Sequence, residues 1–266
     1  MKVFPEYLIS AIHYVFREGG YGMITAAVVL VAFASVLFQD DFSDGNADGW
    51  FQVGSPDYTV ENSQYHFSGG GAVNDATSYR GEQGETMSTP DYSLTSDVRI
   101  DVGTFGGCMV RYRQDGPYNL LLVLGLPQQS LNLYRWHWDS IELLDSYSMT
   151  VLEDTYYTIR FQCSENTFSG RAWETGMAEP DDWQVWSQDT LSTPGAAALF
   201  CAGVFKSSGS AQDECSATFN GNSFCAGVFK GGSRVYMSCW FDNVIVEDPE
   251  PWALIPFTWA EIKTVF

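Results

Sequence analysis

The chain has 266 residues, 45% of them apolar, which is enough for a packed core and excludes an intrinsically disordered protein. Its 13 Lys and Arg against 33 Asp and Glu leave a net charge of −20, a polyanionic surface that repels phosphate backbones and anionic lipid. Nucleic acid is thereby excluded as a partner class, and three scattered histidines (His13, His66, His137) exclude a Cys/His metal centre.

The longest apolar run, Met23 to Phe38, is shorter than the ~20 residues that cross a bilayer and leads directly into the acidic stretch "QDDFSDG". It reads as the core of a signal peptide over residues 1–34, with Ala32 and Ala34 as the small residues before a cleavage point and Lys2 and Arg17 as a weak positive region. Glu6 and Glu18 offset those charges, so Met23 is an alternative start, and an uncleaved anchor is the alternative reading of the run. The expectation is a secreted, periplasmic or cell-surface protein with no membrane span in the mature chain.

The mature chain opens with "DDFSDGNADGW", in which Asp44, Asn46 and Asp48 alternate as in the first half of a calcium loop, with Gly49 allowing the bend. The twelfth position is Ser55 rather than a bidentate Glu, so a structural Ca2+ would need a further ligand, for which Asp242 near the last strand is the candidate. The alternative is an ordinary Asx-turn loop.

From Val36 onward short segments rich in Val, Ile, Tyr, Phe, Trp and Thr alternate with Gly, Asn, Asp, Ser and Pro, the pattern of many short antiparallel strands in a sandwich or barrel. On "MVRYRQ", period-two alternation puts Arg111 and Arg113 on one face, either to hydrogen-bond a polar ligand or to pair with the excess carboxylates. On "LNLYRWHWDS" it puts Tyr134, Trp136 and Trp138 on one face, either as packing or as a platform on which sugar rings stack.

Catalytic strings are missing. An E-x-D-x-x-E strand, which would supply a glycanase's paired carboxyls, is absent, "WDSIELL" offers only Asp139 and Glu142 on opposite faces, and there is no G-x-S-x-G or H-E-x-x-H. The sequence therefore favours binding over catalysis.

The heptapeptide FCAGVFK occurs at Phe200 to Lys206 and again at Phe224 to Lys230, and Cys215 and Cys239 stand at the same offset from the two copies. An even set of six cysteines in an exported chain implies disulfides. Folding each copy about its centre predicts two cross-linked hairpins, Cys201 with Cys215 and Cys225 with Cys239, leaving Cys108 and Cys163 to each other or free. Copy two continues as the apolar "WFDNVIVE", copy one as the polar "SATFNGNS", so copy one reads as an added edge hairpin.

Residues 248–266 read as a linker and tail: Pro249 and Pro251, then a capping box of Thr258 and Glu261 opening a short helix with Trp259, Ile262 and Phe266 on one side.

Several segments in order, "DDFSDGNADGW", "YTVENSQY", "SDVRID", "MVRYRQDGPYNLLLVL", "RAWETGMAEPDDWQ" and "WFDNVIVE", resemble the concanavalin A-like, laminin-G-like jelly-roll domains of secreted bacterial proteins over Val36 to Glu247. The resemblance implies an all-β, two-sheet antiparallel jelly roll over residues 35–247 with one concave and one convex sheet, a fold that hosts lectins, glycanases and adhesive modules. The functional expectation is an exported, non-catalytic module that binds a carbohydrate or a cell-surface protein. The opener is also loosely similar to the sandwich domains of 3-keto-disaccharide hydrolases, so a glycan-active enzyme is one alternative and a purely structural surface module another.

Overall fold

The structure is a computed structural model that describes residues 35–249 apart from 55, 72–74, 83, 138–139, 207–216, 220–221 and 225–233. The expected signal peptide (1–34), the C-terminal helix, Trp138, Cys215 and Cys225 lie outside the described residues.

The strands are, in order, β1 (Val36–Asp40), β2 (Phe51–Val53), β3 (Asp57–Glu61), β4 (Gln64–Gly71), β5 (Asp75–Arg80) and β6 (Tyr92–Val102). There follow β7 (Phe105–Tyr112), β8 (Asn119–Gly125), β9 (Ser130–Trp136), β10 (Ile141–Ser148), β11 (Tyr156–Ser164) and β12 (Thr167–Glu174). The last are β13 (Val185–Gln188), β14 (Ala196–Ala202), β15 (Val204–Lys206), β16 (Ala217–Phe219), β17 (Asn222–Phe224) and β18 (Arg234–Glu247).

All pairings are antiparallel and form two main sheets. The first runs β13-β12-β11-β6-β18-β4-β3, with β1 and β15 also on β18, and the second runs β10-β9-β8-β7-β14-β5-β2. β18 is the spine of the first sheet. One edge takes β6 along Ser238–Glu247 and β15 along Arg234–Tyr236, and the other takes β4 and then β1, where Asp40 meets Val244.

The main core lies between the sheets, where Tyr65, Phe67, Leu94, Phe161 and Phe241 of the first face Val110, Leu120, Leu122, Leu133 and Leu199 of the second. The opener serves this core. Asp40 accepts hydrogen bonds from the Trp50 indole (2.9 Å) and Arg80 (3.0 Å), which seats Trp50 against Phe42 and Tyr65.

Two expectations are corrected here. Cys201 on β14 bonds to Cys239 on β18, with Cα atoms 6.1 Å apart, so the disulfide joins the two sheets rather than closing a hairpin within each repeat. The physical reason is the path of the chain: it leaves β14 at Ala202, crosses at Gly203 and pairs with β18 in the opposite sheet, which brings the first cysteine of copy one to the second of copy two. Copy one is also not an edge addition at its start, because β14 is an interior strand between β7 and β5. Cys108 and Cys163 are free, and burial pushes both thiols up, that of Cys163 to about 12.

Arg111 does not share an outward face with Arg113. The β7–β14 register slips between Ala196 and Ala198, and Arg111 takes a left-handed conformation (φ 52°), so the bulge breaks the alternation. Tyr92 holds this bulge, accepting the Arg111 amide (2.6 Å) and donating to the Ala196 carbonyl (2.8 Å). The Arg111 side chain, 1% exposed, donates to the carbonyls of Pro90, Leu191 and Glu165 and to Asp91. It is a buried tie between loops, with no donor turned to a ligand.

The outer face of the first sheet is polar, and many of its side chains pair with one another. Tyr156, Arg99, Trp240 and His66 stand in one cross-strand row on β11, β6, β18 and β4. Arg99 lies between the Tyr156 ring (5.0 Å) and the Trp240 ring (5.1 Å), and His66 stacks on Trp240 at 3.9 Å. Asp101 accepts from both Arg99 and the Trp240 indole.

Candidate ligand-binding cleft

The second sheet differs, because its outer face is apolar as well. β7, β8 and β14 are buried at every residue, which explains the unbroken runs "NLLLVLG" and "AAALFCA". Met109, Leu121, Val123, Tyr134, Ala198 and Phe200 form a second cluster on the side turned away from the first sheet.

This face is concave. Trp136 on β9 meets Phe200 on β14, three strands away, with ring centroids 5.6 Å apart, and Phe105 on β7 meets Tyr134 on β9 at 5.9 Å. Side chains that start so far apart touch only if the sheet curls toward them.

The sequence placed Tyr134 and Trp136 on a common face, and the structure puts that face outside the inter-sheet core. Tyr134 is nevertheless only 2% exposed and burial raises its hydroxyl to about 12, so its ring is packed floor and not an open platform. Trp136 is half-buried, and its indole N–H has no acceptor among the described residues.

Where β5 and β7 end, the concave floor opens. Tyr79 and Tyr112, 5.1 Å apart with rings inclined at 45°, pave a cleft of about 690 Å³, within the usual size of a small-ligand site. Phe51 stacks on Tyr79 at 5.4 Å and stiffens that side. The rim is polar: Arg113, Gln114 and Asp115 from the turn after β7, Glu85 and Thr86 from the loop after β5, and Pro194 before β14.

The electrostatics of the cleft follow from these groups. Arg113 is paired with Asp115 at 3.3 Å, and the pair is solvent-exposed. Burial raises the Tyr79 hydroxyl, with the Glu85 charge adding to it. Burial also raises Tyr112 to about 12, and the charge of Asp75 adds to that. Both phenols are therefore neutral donors at ordinary pH. The cleft thus combines ring edges, two hydroxyl donors, an arginine, an amide and two carboxylates around one concavity.

Of the sequence-predicted ligand residues, Arg113 lines this cleft, Trp136 and Tyr134 belong to the floor that continues from it, and Arg111 does not reach it. Tyr79, Glu85, Thr86 and Pro194 were missed, since they lie on segments that meet only through the topology. Tyr112 carried a signal, being the aromatic inside "MVRYRQ".

The opener loop forms successive Asx turns: Asp44 accepts the Asn46 amide (3.1 Å) and Asn46 accepts the Asp48 amide (2.8 Å). Among the described residues no three His, Cys, Asp or Glu side chains converge as a metal site. Asp44 lines a shallow cleft with Asn243, next to Asp242, whose carboxyl is raised by burial and by neighbouring Asp97 and Asp41.

Near β9, the carboxylate of Asp189 is buried, but Tyr118, Arg135 and the Leu191 amide donate to it and hold it below the usual carboxylate range. Arg135 also grips Glu142, so these carboxylates serve an ion-pair cluster.

No family model matches the chain, and no curated protein matches it. Solved structures do. The carbohydrate-binding module CBM66 from Bacillus subtilis is 12% identical, with a TM-score of 0.51 over 75% of this chain and 96% of that one. A prokaryotic β-1,3-1,4-glucanase (lichenase) derived from a mouse hindgut metagenome is 10% identical, with a TM-score of 0.51 over 80% of this chain and 98% of that one. The GH43 protein BlXynB from Bacillus licheniformis is 12% identical with a TM-score of 0.52 over 79% of this chain, and the chain spans 39% of that protein. At these identities the likeness establishes the fold, a concanavalin A-like jelly roll.

Proposed function

We propose that this concanavalin A-like jelly roll is an exported module that binds a glycan in the Tyr79–Tyr112 cleft without turning it over. The observation that carries the reading is the cleft itself, where the accessible edges of two largely buried tyrosine rings meet a rim of hydrogen-bonding side chains for a sugar's hydroxyls.

Binding is favoured over hydrolysis by the state of the carboxylates. A glycosidase needs one carboxyl kept protonated by a dry pocket, opposite a second on the other side of the bond. The rim carboxylates are instead open to solvent: Asp115 is 82% exposed and tied to Arg113, and Glu85 is exposed in its loop. The inter-sheet disulfide supports passage through an oxidising compartment, in line with export. Among the described residues no helix is long and apolar enough to cross a membrane.

The test is a glycan array on the purified chain, repeated with Gln114→Trp. Gln114 is exposed in the turn beside the cleft, so an indole there blocks the cavity while leaving the core untouched. Loss of every array signal with an unchanged melting curve supports the cleft, and full binding by Gln114→Trp refutes it.

A further inference from the structure

We propose that the cleft selects a cationic, amine-bearing glycan, such as an oligomer of a hexosamine with free amino groups, over neutral, N-acetylated or anionic ones. This rests on the reading of the cleft as a glycan site and adds the charge of its ligand.

The argument starts with the cations. Every arginine whose side chain is described, from Arg80 to Arg171, stands in an ion pair with a carboxylate. Arg113 is the single cation on the cleft rim, and Asp115 already neutralises it. An anionic sugar would have to displace that carboxylate and approach a chain of net charge −20, so both the local and the long-range field oppose it.

The carboxylates differ. Glu85 lines the cleft, none of the described residues forms a hydrogen bond or ion pair with it, and it lies close enough to Tyr79 to act on the phenol. Among the described residues, the one charge lining the cleft without a partner is therefore negative. A ligand ammonium placed there meets the Glu85 carboxylate, the same negative charge that already acts on the Tyr79 phenol beside it. An N-acetyl group at the same position brings bulk without charge and leaves Glu85 as it was.

Titration calorimetry of the full chain tests this with four tetrasaccharides: β-1,4-glucosamine, its N-acetylated form, a β-1,4-glucose tetramer and a galacturonate tetramer. In mildly acidic buffer, where the amines are protonated, the glucosamine tetramer should bind about fivefold tighter than either uncharged one, the weight of one screened charge pair. The galacturonate should show no heat. Glu85→Gln, an exposed substitution with an unchanged melt, should bring the ratio of the glucosamine to the glucose affinity close to one, and so should raised salt.

Equal or tighter binding of the uncharged tetramers by the unmodified chain, or a ratio that Glu85→Gln leaves intact, overturns the charge selection while the glycan reading stands. A glucosamine preference that persists in Gln114→Trp is non-specific attraction to the acidic surface and overturns it too. If no tetramer binds, both this inference and the cleft reading fall.

Discussion

The two outer faces of this sandwich solve the same problem in opposite ways. On the convex sheet, alternate residues are polar and consume one another: Arg99 between Tyr156 and Trp240, Asp101 on both Arg99 and Trp240, Arg160 with Glu179 and Glu247. On the concave sheet, the outward residues are apolar, and curvature draws them into a second cluster that ends in an open cleft. A face whose polar groups mostly pair with one another offers a ligand little to gain, whereas a floor of rings with a rim of hydrogen-bonding groups offers both area and direction. The proposed site lies on the side where alternation of apolar and polar residues breaks down.

The sharpest way to break this comparison is to truncate one residue on each outer face. Tyr134→Ala, in the concave cluster, should lower stability by about 3–5 kcal/mol, as for a buried aromatic, while Thr59→Ala on the convex sheet should stay within about 0.5 kcal/mol. Denaturant melts measure both. Equal small effects would mean that the concave cluster is loosely packed.

The link between the sheets comes next. Cys201→Ala with Cys239→Ala should cost up to about 4 kcal/mol, the loop-closure limit for a sequence separation of 38. Non-reducing peptide mapping should recover Cys201 joined to Cys239. Recovery of Cys201 joined to Cys215 would restore the two-hairpin arrangement.

A smaller effect belongs to the convex row. Burial lowers the pKa of His66, against the opposing pull of Glu61 and Asp101, so the folded state favours the neutral ring. A depressed value means that the stability it provides is complete above the unfolded pKa of about 6.5 and is lost as pH falls through the folded one. His66→Gln should flatten the melting temperature against pH in that acidic window. An unchanged slope would assign the acid sensitivity to the carboxylates.

Much of the architecture was legible in the sequence, because strand alternation is a local property. It revealed the all-β sandwich and the common face of Tyr134 and Trp136. What failed was nonlocal. The repeat suggested a hairpin around each copy, but the switch of sheets at Gly203 paired cysteines from different copies. The bulge at Arg111 reversed the expected face of one arginine, and nothing in "MVRYRQ" announces a left-handed residue there. The cleft was invisible for the same reason: Glu85, Gln114 and Pro194 come from loops far apart in the chain, and only the packing of β5, β7 and β14 assembles them.

The central claim, that ligand binds on the concave side, is tested most directly by following backbone amide NMR signals while a bound glycan is titrated in. The account predicts shifts centred on Tyr79, Thr86, Tyr112, Arg113 and Gln114, with the amides of His66, Arg99, Tyr156 and Trp240 unmoved. Shifts centred on that convex row, with the cleft silent, would contradict it.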